Sequence, residues 1–193
     1  MVSVSARRQR GTSLIEVLVT IVILAIGLLG LAGLQSRLQA SEMESYQRAQ
    51  ALVLLNDMAS RIEANRAQAA NYAAAAPVST PLGAGMTCPA AGTSQLSQDV
   101  AEWCEALQGA AETSGGSAVG AMIGGRGCVE TTATPGEYLV TVAWQGLTPI
   151  ANPTGSPTCG AGKYNGAIGS SCTGDSCRRF VTTIVRIANL SSL

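Results

Sequence analysis

Hydrophobic and polar positions alternate on different scales along this chain. Residues 1–10 are polar and basic, and an apolar run then extends almost unbroken from Val17 to Leu34. That run is long enough to cross a bilayer as a helix. From Gln35 to Ala70 there is no Gly or Pro, and Ala, Leu, Gln, Glu and Arg, all good helix formers, dominate. Leu38, Tyr46, Val53, Leu55, Met58 and Ile62 recur there at near-helical spacing. Glu42, Glu44, Arg48, Asp57, Arg61, Glu63 and Arg66 supply a polar side. The pattern predicts one helix from about Ser13 to about Tyr72, punctuated in its first half by Gly27, Gly30 and Gly33. Such glycines each weaken a helix, yet small residues also let helices approach closely.

The periodicity changes after Tyr72. Ala73–Gly92 is rich in Ala, Pro, Thr and Gly and reads as a loop. Ser97–Gln108 reads as a short amphipathic helix with Ser97 as N-cap and Val100, Trp103, Cys104 and Leu107 on one face. Gly109–Gly127 is glycine-rich and reads as irregular. Glu137–Trp144 and Phe180–Ile187 are rich in β-branched and aromatic residues and predict strands, with Cys128–Thr132 as a third. Ile150–Gly174 reads as a long loop. Too little helical sequence separates the strands for parallel crossovers, so the sheet is expected to be antiparallel. A small antiparallel sheet packed on a long helix gives an α+β fold.

Charge sharpens this picture. The net charge is zero, but Arg7, Arg8 and Arg10 all precede the apolar run. Arginines before the run and few charges after it predict a cytoplasmic N-terminus and an exported remainder. Without those three arginines the chain is mildly acidic, which makes it a poor general magnet for nucleic acid. There is no histidine, the commonest general base and metal ligand. The six cysteines, Cys88, Cys104, Cys128, Cys159, Cys172 and Cys177, read as a disulfide framework in an exported domain. Their spacing does not choose among the pairings. The expectation is Cys88–Cys104, with the rest stapling the C-terminal loop to the sheet.

One residue stands against the apolar pattern. Glu16 lies among Leu14, Ile15, Val17 and Leu18, where a carboxylate is costly and usually has a partner. No small-residue cleavage site follows the apolar run, unlike in an ordinary secretory signal. Gly11-Thr12-Ser13-Leu14-Ile15-Glu16-Val17-Leu18-Val19 resembles the class III signal of type IV prepilins and pseudopilins. The resemblance implies that a prepilin peptidase cuts after Gly11, removing a leader of residues 1–11, and methylates the new amine of Thr12. It also implies that Glu16 docks the subunit by pairing with the N-terminal amine of a neighbour. That amine would neutralise a carboxylate that is costly to bury alone.

Ile23 to Gln35 resembles the corresponding stretch of PilV-type minor pilins, and Ala143-Trp144 with Cys177-Arg178-Arg179-Phe180 resembles their C-terminal part. The implied organisation is a filament-core or transmembrane half-helix over 12–35, an amphipathic half over 36–72 and a disulfide-stapled α+β domain over 73–193. The implied function is that of a minor pilin, structural and not enzymatic, anchored in the bacterial inner membrane and reaching the pilus on assembly. Its implied partners are the major pilin, other minor pilins, a tip adhesin, the prepilin peptidase and the inner-membrane assembly platform, with no cofactor. A minor pseudopilin of type II secretion is the nearest alternative. A DNA-uptake pilin is a further one, and it would need cations such as Lys163, Arg178 and Arg179 to cluster. Cys172 and Cys177 lack the spacing and histidine partners of a zinc site. Gly124-Gly125-Arg126-Gly127 and Gly160-Ala161-Gly162-Lys163 lack the strand–loop–helix setting of a phosphate loop and read as turns.

Overall fold

A computed structural model describes residues 13–110, 113–114, 117–118, 122–151 and 157–188. The chain divides into two units, residues up to Glu42 and residues from Met43 onward. Helix α1, Leu14–Ala64, is 51 residues long and contributes to both. In the first unit every side chain from Leu14 to Gln39 is exposed. In the second unit the same helix buries Gln47, Ala51, Leu55, Met58 and Ile62. Their steps of three and four residues keep them on one face of the helix. Leu38, Tyr46 and Val53, which the sequence pattern assigns to the apolar stripe, are exposed. Tyr46 and Val53 are each offset from the buried row, and the small Ala51 and the amide of Gln47 take the inward positions.

The helix does not reach Tyr72 uninterrupted. It stops at Ala64 because Asn65 leaves helical geometry, with φ −111° and ψ 44°. The Asn65 side-chain amide instead donates to the Tyr72 hydroxyl at 3.2 Å, a local alternative that Asn offers to the helical ladder. A 3₁₀ turn at Arg66–Gln68 leads into α2, Ala69–Ala75. Helix α3 spans Gln95–Leu107, and its N-cap is Ser94 rather than Ser97: the Ser94 hydroxyl accepts from the Ser97 amide at 3.2 Å. Serine at either position satisfies the capping preference, and the earlier one adds nearly a turn.

Four strands form an antiparallel sheet in the order β1 (Leu82–Gly83), β4 (Arg126–Thr131), β5 (Glu137–Gln145), β6 (Arg178–Arg186). β5 and β6 pair along their whole length, from Glu137↔Arg186 to Gln145↔Arg178. The alternation of β5 sends Val140, Val142 and Trp144 into the core with Val129 and Val185. A two-residue hairpin pair, β2 (Thr113–Ser114) and β3 (Ser117–Ala118), lies in the stretch expected to be irregular. β1 lies in the stretch expected to be a loop. Both are too short to carry a readable period. Trp103 of α3 is fully buried and its indole donates to the Leu54 carbonyl at 2.9 Å. It packs directly on Gly127 of β4, where a Cβ would collide with the ring. The sheet and the three helices of this unit therefore share one core, in an α+β, pilin-like arrangement.

Three disulfides join Cys88 to Cys104, Cys128 to Cys159 and Cys172 to Cys177. The first ties the loop after β1 to α3. The second ties the 157–177 segment to β4. The third closes a short loop immediately ahead of β6.

Candidate assembly segment and the polar network behind it

The N-terminal unit begins its helix at Ser13, whose carbonyl accepts from the Glu16 amide at 2.9 Å and from the Val17 amide at 3.3 Å. Glu16 sits in the first turn, where a carboxylate is favoured by the helix dipole. Among the described residues its side chain has no hydrogen-bond or ion-pair partner, and no charged residue follows until Arg37. Thr20 satisfies its hydroxyl within the helix, donating to the Val17 carbonyl at 2.8 Å. This helix is long and apolar enough to cross a membrane. A Cβ added at Gly27, Gly30 or Gly33 would meet nothing within 4 Å. Nothing within the described subunit therefore requires these glycines, although each weakens the helix by about 1 kcal/mol relative to Ala.

Gly11 and Thr12 lie outside the described residues. Glu16 belongs to the first unit and all six cysteines to the second. Among the described residues no group of three His, Cys, Asp or Glu is arranged to hold a metal ion.

The second unit contains a polar network that sequence reasoning missed. Arg61 of α1 donates through Nε to Asp57 at 3.0 Å and through Nη1 to both Asp99 and Glu102 at 2.8 Å. Asp99 is only 2% exposed. It also accepts from Gln95 at 2.8 Å and from the hydroxyl of the fully buried Tyr72. Burial alone would lower the Arg61 pKa, but the bonds to Glu102, Asp57 and Asp99 outweigh it and the net shift is upward. Burial, followed by the bond to Asp99, pushes the Tyr72 phenol up to about 12. The Asp57–Arg61 and Gln95–Asp99 pairs have the i,i+4 spacing that a sequence can reveal. The links joining α1, α2 and α3 leave no such signal.

The three cations considered for nucleic acid do not form an exposed cluster. Arg178 is buried, donating to the Pro157 carbonyl at 2.6 Å and the Cys159 carbonyl at 3.2 Å, with Asp175 at 3.8 Å. Arg179 lies over Gly146, pairs with Glu44 at 3.2 Å and donates to the Thr148 carbonyl at 2.6 Å. Glu44 also accepts from the Leu147 amide at 3.1 Å, so this contact fastens α1 to the loop after β5. Lys163 alone of the three is exposed.

Comparison with known proteins bears on the N-terminus. A family model described as the prokaryotic N-terminal methylation motif matches residues 6–32. No curated protein and no solved structure matches the chain. The motif indicates a pilin-like N-terminus, of the kind shared by type IV pilin-like proteins and pseudopilins, and with the apolar helix it fits a membrane-anchored protein of that kind.

Proposed function

We propose that this chain is a minor type IV pilin, an assembly subunit and not an enzyme. It inserts by its N-terminal helix into a pilus or the complex that initiates one. The observation that carries this reading is the methylation motif over residues 6–32 continuing into an exposed apolar helix that carries one carboxylate, Glu16, ahead of Arg37. An uncompensated carboxylate inside hydrocarbon costs about 3 kcal/mol. Cleavage after Gly11 by the prepilin peptidase creates an ammonium at Thr12 on each subunit. A neighbour's ammonium then neutralises Glu16 and sets the axial register between subunits. Before assembly the helix anchors the chain in the inner membrane with its N-terminus cytoplasmic, as the leader arginines favour. The disulfide-stapled α+β domain is exported and meets the major pilin, other minor pilins or a tip adhesin.

Mass spectrometry of sheared surface pili from the source cells tests this. The expected result is a peptide beginning at N-methylated Thr12, in trace amounts beside the major pilin. Gly11→Val should leave the leader attached and block assembly, and Glu16→Ala should insert in the membrane yet be lost from pili. An intact leader on the wild-type chain, or wild-type piliation by the Glu16→Ala variant, would refute the mechanism. The methylation motif also supports a second reading, a minor pseudopilin of type II secretion. That reading is preferred if the processed chain stays in the envelope, is absent from pili, and its deletion abolishes export of folded proteins.

A further inference from the structure

Two glycine-rich loops that read as plain turns in the sequence meet in space. Gly124-Gly125-Arg126-Gly127 leads into β4, and Gly160-Ala161-Gly162-Lys163 follows Cys159. The Cys128–Cys159 disulfide joins the two segments, and the Tyr164 hydroxyl donates to the Gly124 carbonyl at 3.0 Å. Between them and the turn after Pro77 lies an open concavity of about 300 Å³. Among the described residues its lining includes both cations, Arg126 and Lys163, together with Ser79 and Thr80, and no carboxylate.

Arg126 is oriented rather than merely exposed. Its guanidinium lies over the Tyr164 ring, 5.1 Å from the centroid, and Nη1 donates to the Gly124 carbonyl at 3.2 Å. Gly85, with φ +85°, lies beside this guanidinium: a Cβ there would stand 3.4 Å from Nη2, at van der Waals contact. Burial pushes the Tyr164 phenol up from its ordinary value. Asp175 bonds the Gly162 amide at 2.6 Å and faces Arg178, and it does not line the concavity. A guanidinium, an ammonium and two hydroxyl side chains offer more donors than the two oxygens of a planar carboxylate take up, which suits a tetrahedral oxyanion better.

The geometry points to this concavity as a binding site for a phosphate- or sulfate-type oxyanion, held by Arg126 and Lys163 with Ser79 and Thr80. The oxyanion comes free from solution or as a phospholipid headgroup, and the chemistry at the protein is the same. The site does not depend on the assembly role, because none of its residues belongs to the N-terminal unit.

The test is an NMR titration of the full chain in uncharged detergent, with inorganic phosphate as probe and chloride at matched ionic strength as reference. Phosphate should shift the amides of Thr80, Gly85 and Lys163 beyond the chloride response. Lys163→Gln, on an exposed side chain, should weaken binding about tenfold, as expected for a lost charge-assisted bond. Arg126→Lys should weaken it with the fold intact, and Arg48→Gln, at an exposed arginine elsewhere, should leave it unchanged. A second arm adds short-chain phosphatidylglycerol to the micelles. A response to phosphate identifies a soluble ligand, and a response to the lipid alone identifies a headgroup. No response to either, equal responses in Lys163→Gln, or acetate binding as tightly as phosphate would overturn the assignment.

Discussion

The two parts of helix α1 invert the usual relation between hydrophobicity and burial. From Leu14 to Leu34 the helix is almost wholly apolar, yet each of those side chains is exposed. From Gln47 to Ile62 it is far more polar, yet it delivers Leu55, Met58 and Ile62 to a packed core. Apolar surface is driven out of water wherever a covering exists. The second part finds that covering within its own chain, in the sheet and in Trp103. Among the described residues the first part finds none, which fits a membrane-anchored helix of the pilin-like kind. A single helix thus lends its second part to the core of a domain and leaves the apolar side chains of its first part exposed.

The largest expected effect separates the two parts by stability. Met58→Ala should destabilise the domain by about 2–5 kcal/mol, the usual range for emptying a packed site. Leu28→Ala should leave the same transition within about 0.5 kcal/mol. Both tryptophans, Trp103 and Trp144, report the second unit, so fluorescence melts of the full chain in uncharged detergent read that difference directly. Equal shifts in the two variants would break the comparison.

A smaller effect concerns the polar network. Tyr72 titrates near 12 in the fold against an ordinary 10.0. Between those values the unfolded chain gives up the phenol proton while the folded one keeps it. Stability is therefore fully present below about pH 10 and falls as pH rises toward 12, by about 2–3 kcal/mol in all. Tyr164, also raised, slopes the same way. Tyr72→Phe should lose about 1–3 kcal/mol at pH 7 by removing a donor from buried Asp99. It should also show a shallower alkaline slope in denaturant titrations at pH 9 and 11. An unchanged slope would remove Tyr72 from the account.

The smallest effect on the domain is expected at Gly30. Gly30→Ala meets open space and should strengthen the helix by about 1 kcal/mol, with no change in the tryptophan-reported melt. If piliation is lost nonetheless, the glycine serves contacts between subunits. If piliation is unchanged, close approach at that position plays no part in assembly.

Much of the architecture was legible because its signals are local. Glu137–Trp144 announces β5 through Val140, Val142 and Trp144, and Val100, Trp103, Cys104 and Leu107 announce the buried face of α3. Glu16 stood out as one carboxylate in an apolar run, a contrast that needs no tertiary knowledge. The break at Asn65 was not legible, because its helix-competing bond reaches Tyr72, whose position depends on the fold. The burial of Gln47 in place of Tyr46 was not legible either, because the apolar pattern favours the tyrosine. That Arg178 and Arg179 spend their donors on carbonyls and on Glu44 was not legible, because those acceptors are distant in sequence.

What depends on neighbours a few residues away can be read along the chain. That covers most of the helix, the two long strands, the apolar run with its methylation motif, and an even set of cysteines suited to disulfides. Tertiary structure decided what depends on residues tens of positions apart: which cysteines pair, which face of α1 is buried, the link from Arg61 to Asp99 and Tyr72, and the meeting of Arg126 with Lys163. The division has a physical cause. Helical and strand periods are imposed by backbone geometry at each residue. Pairings across the fold arise only when chain closure brings distant groups within bonding reach, and no local pattern encodes which groups will meet.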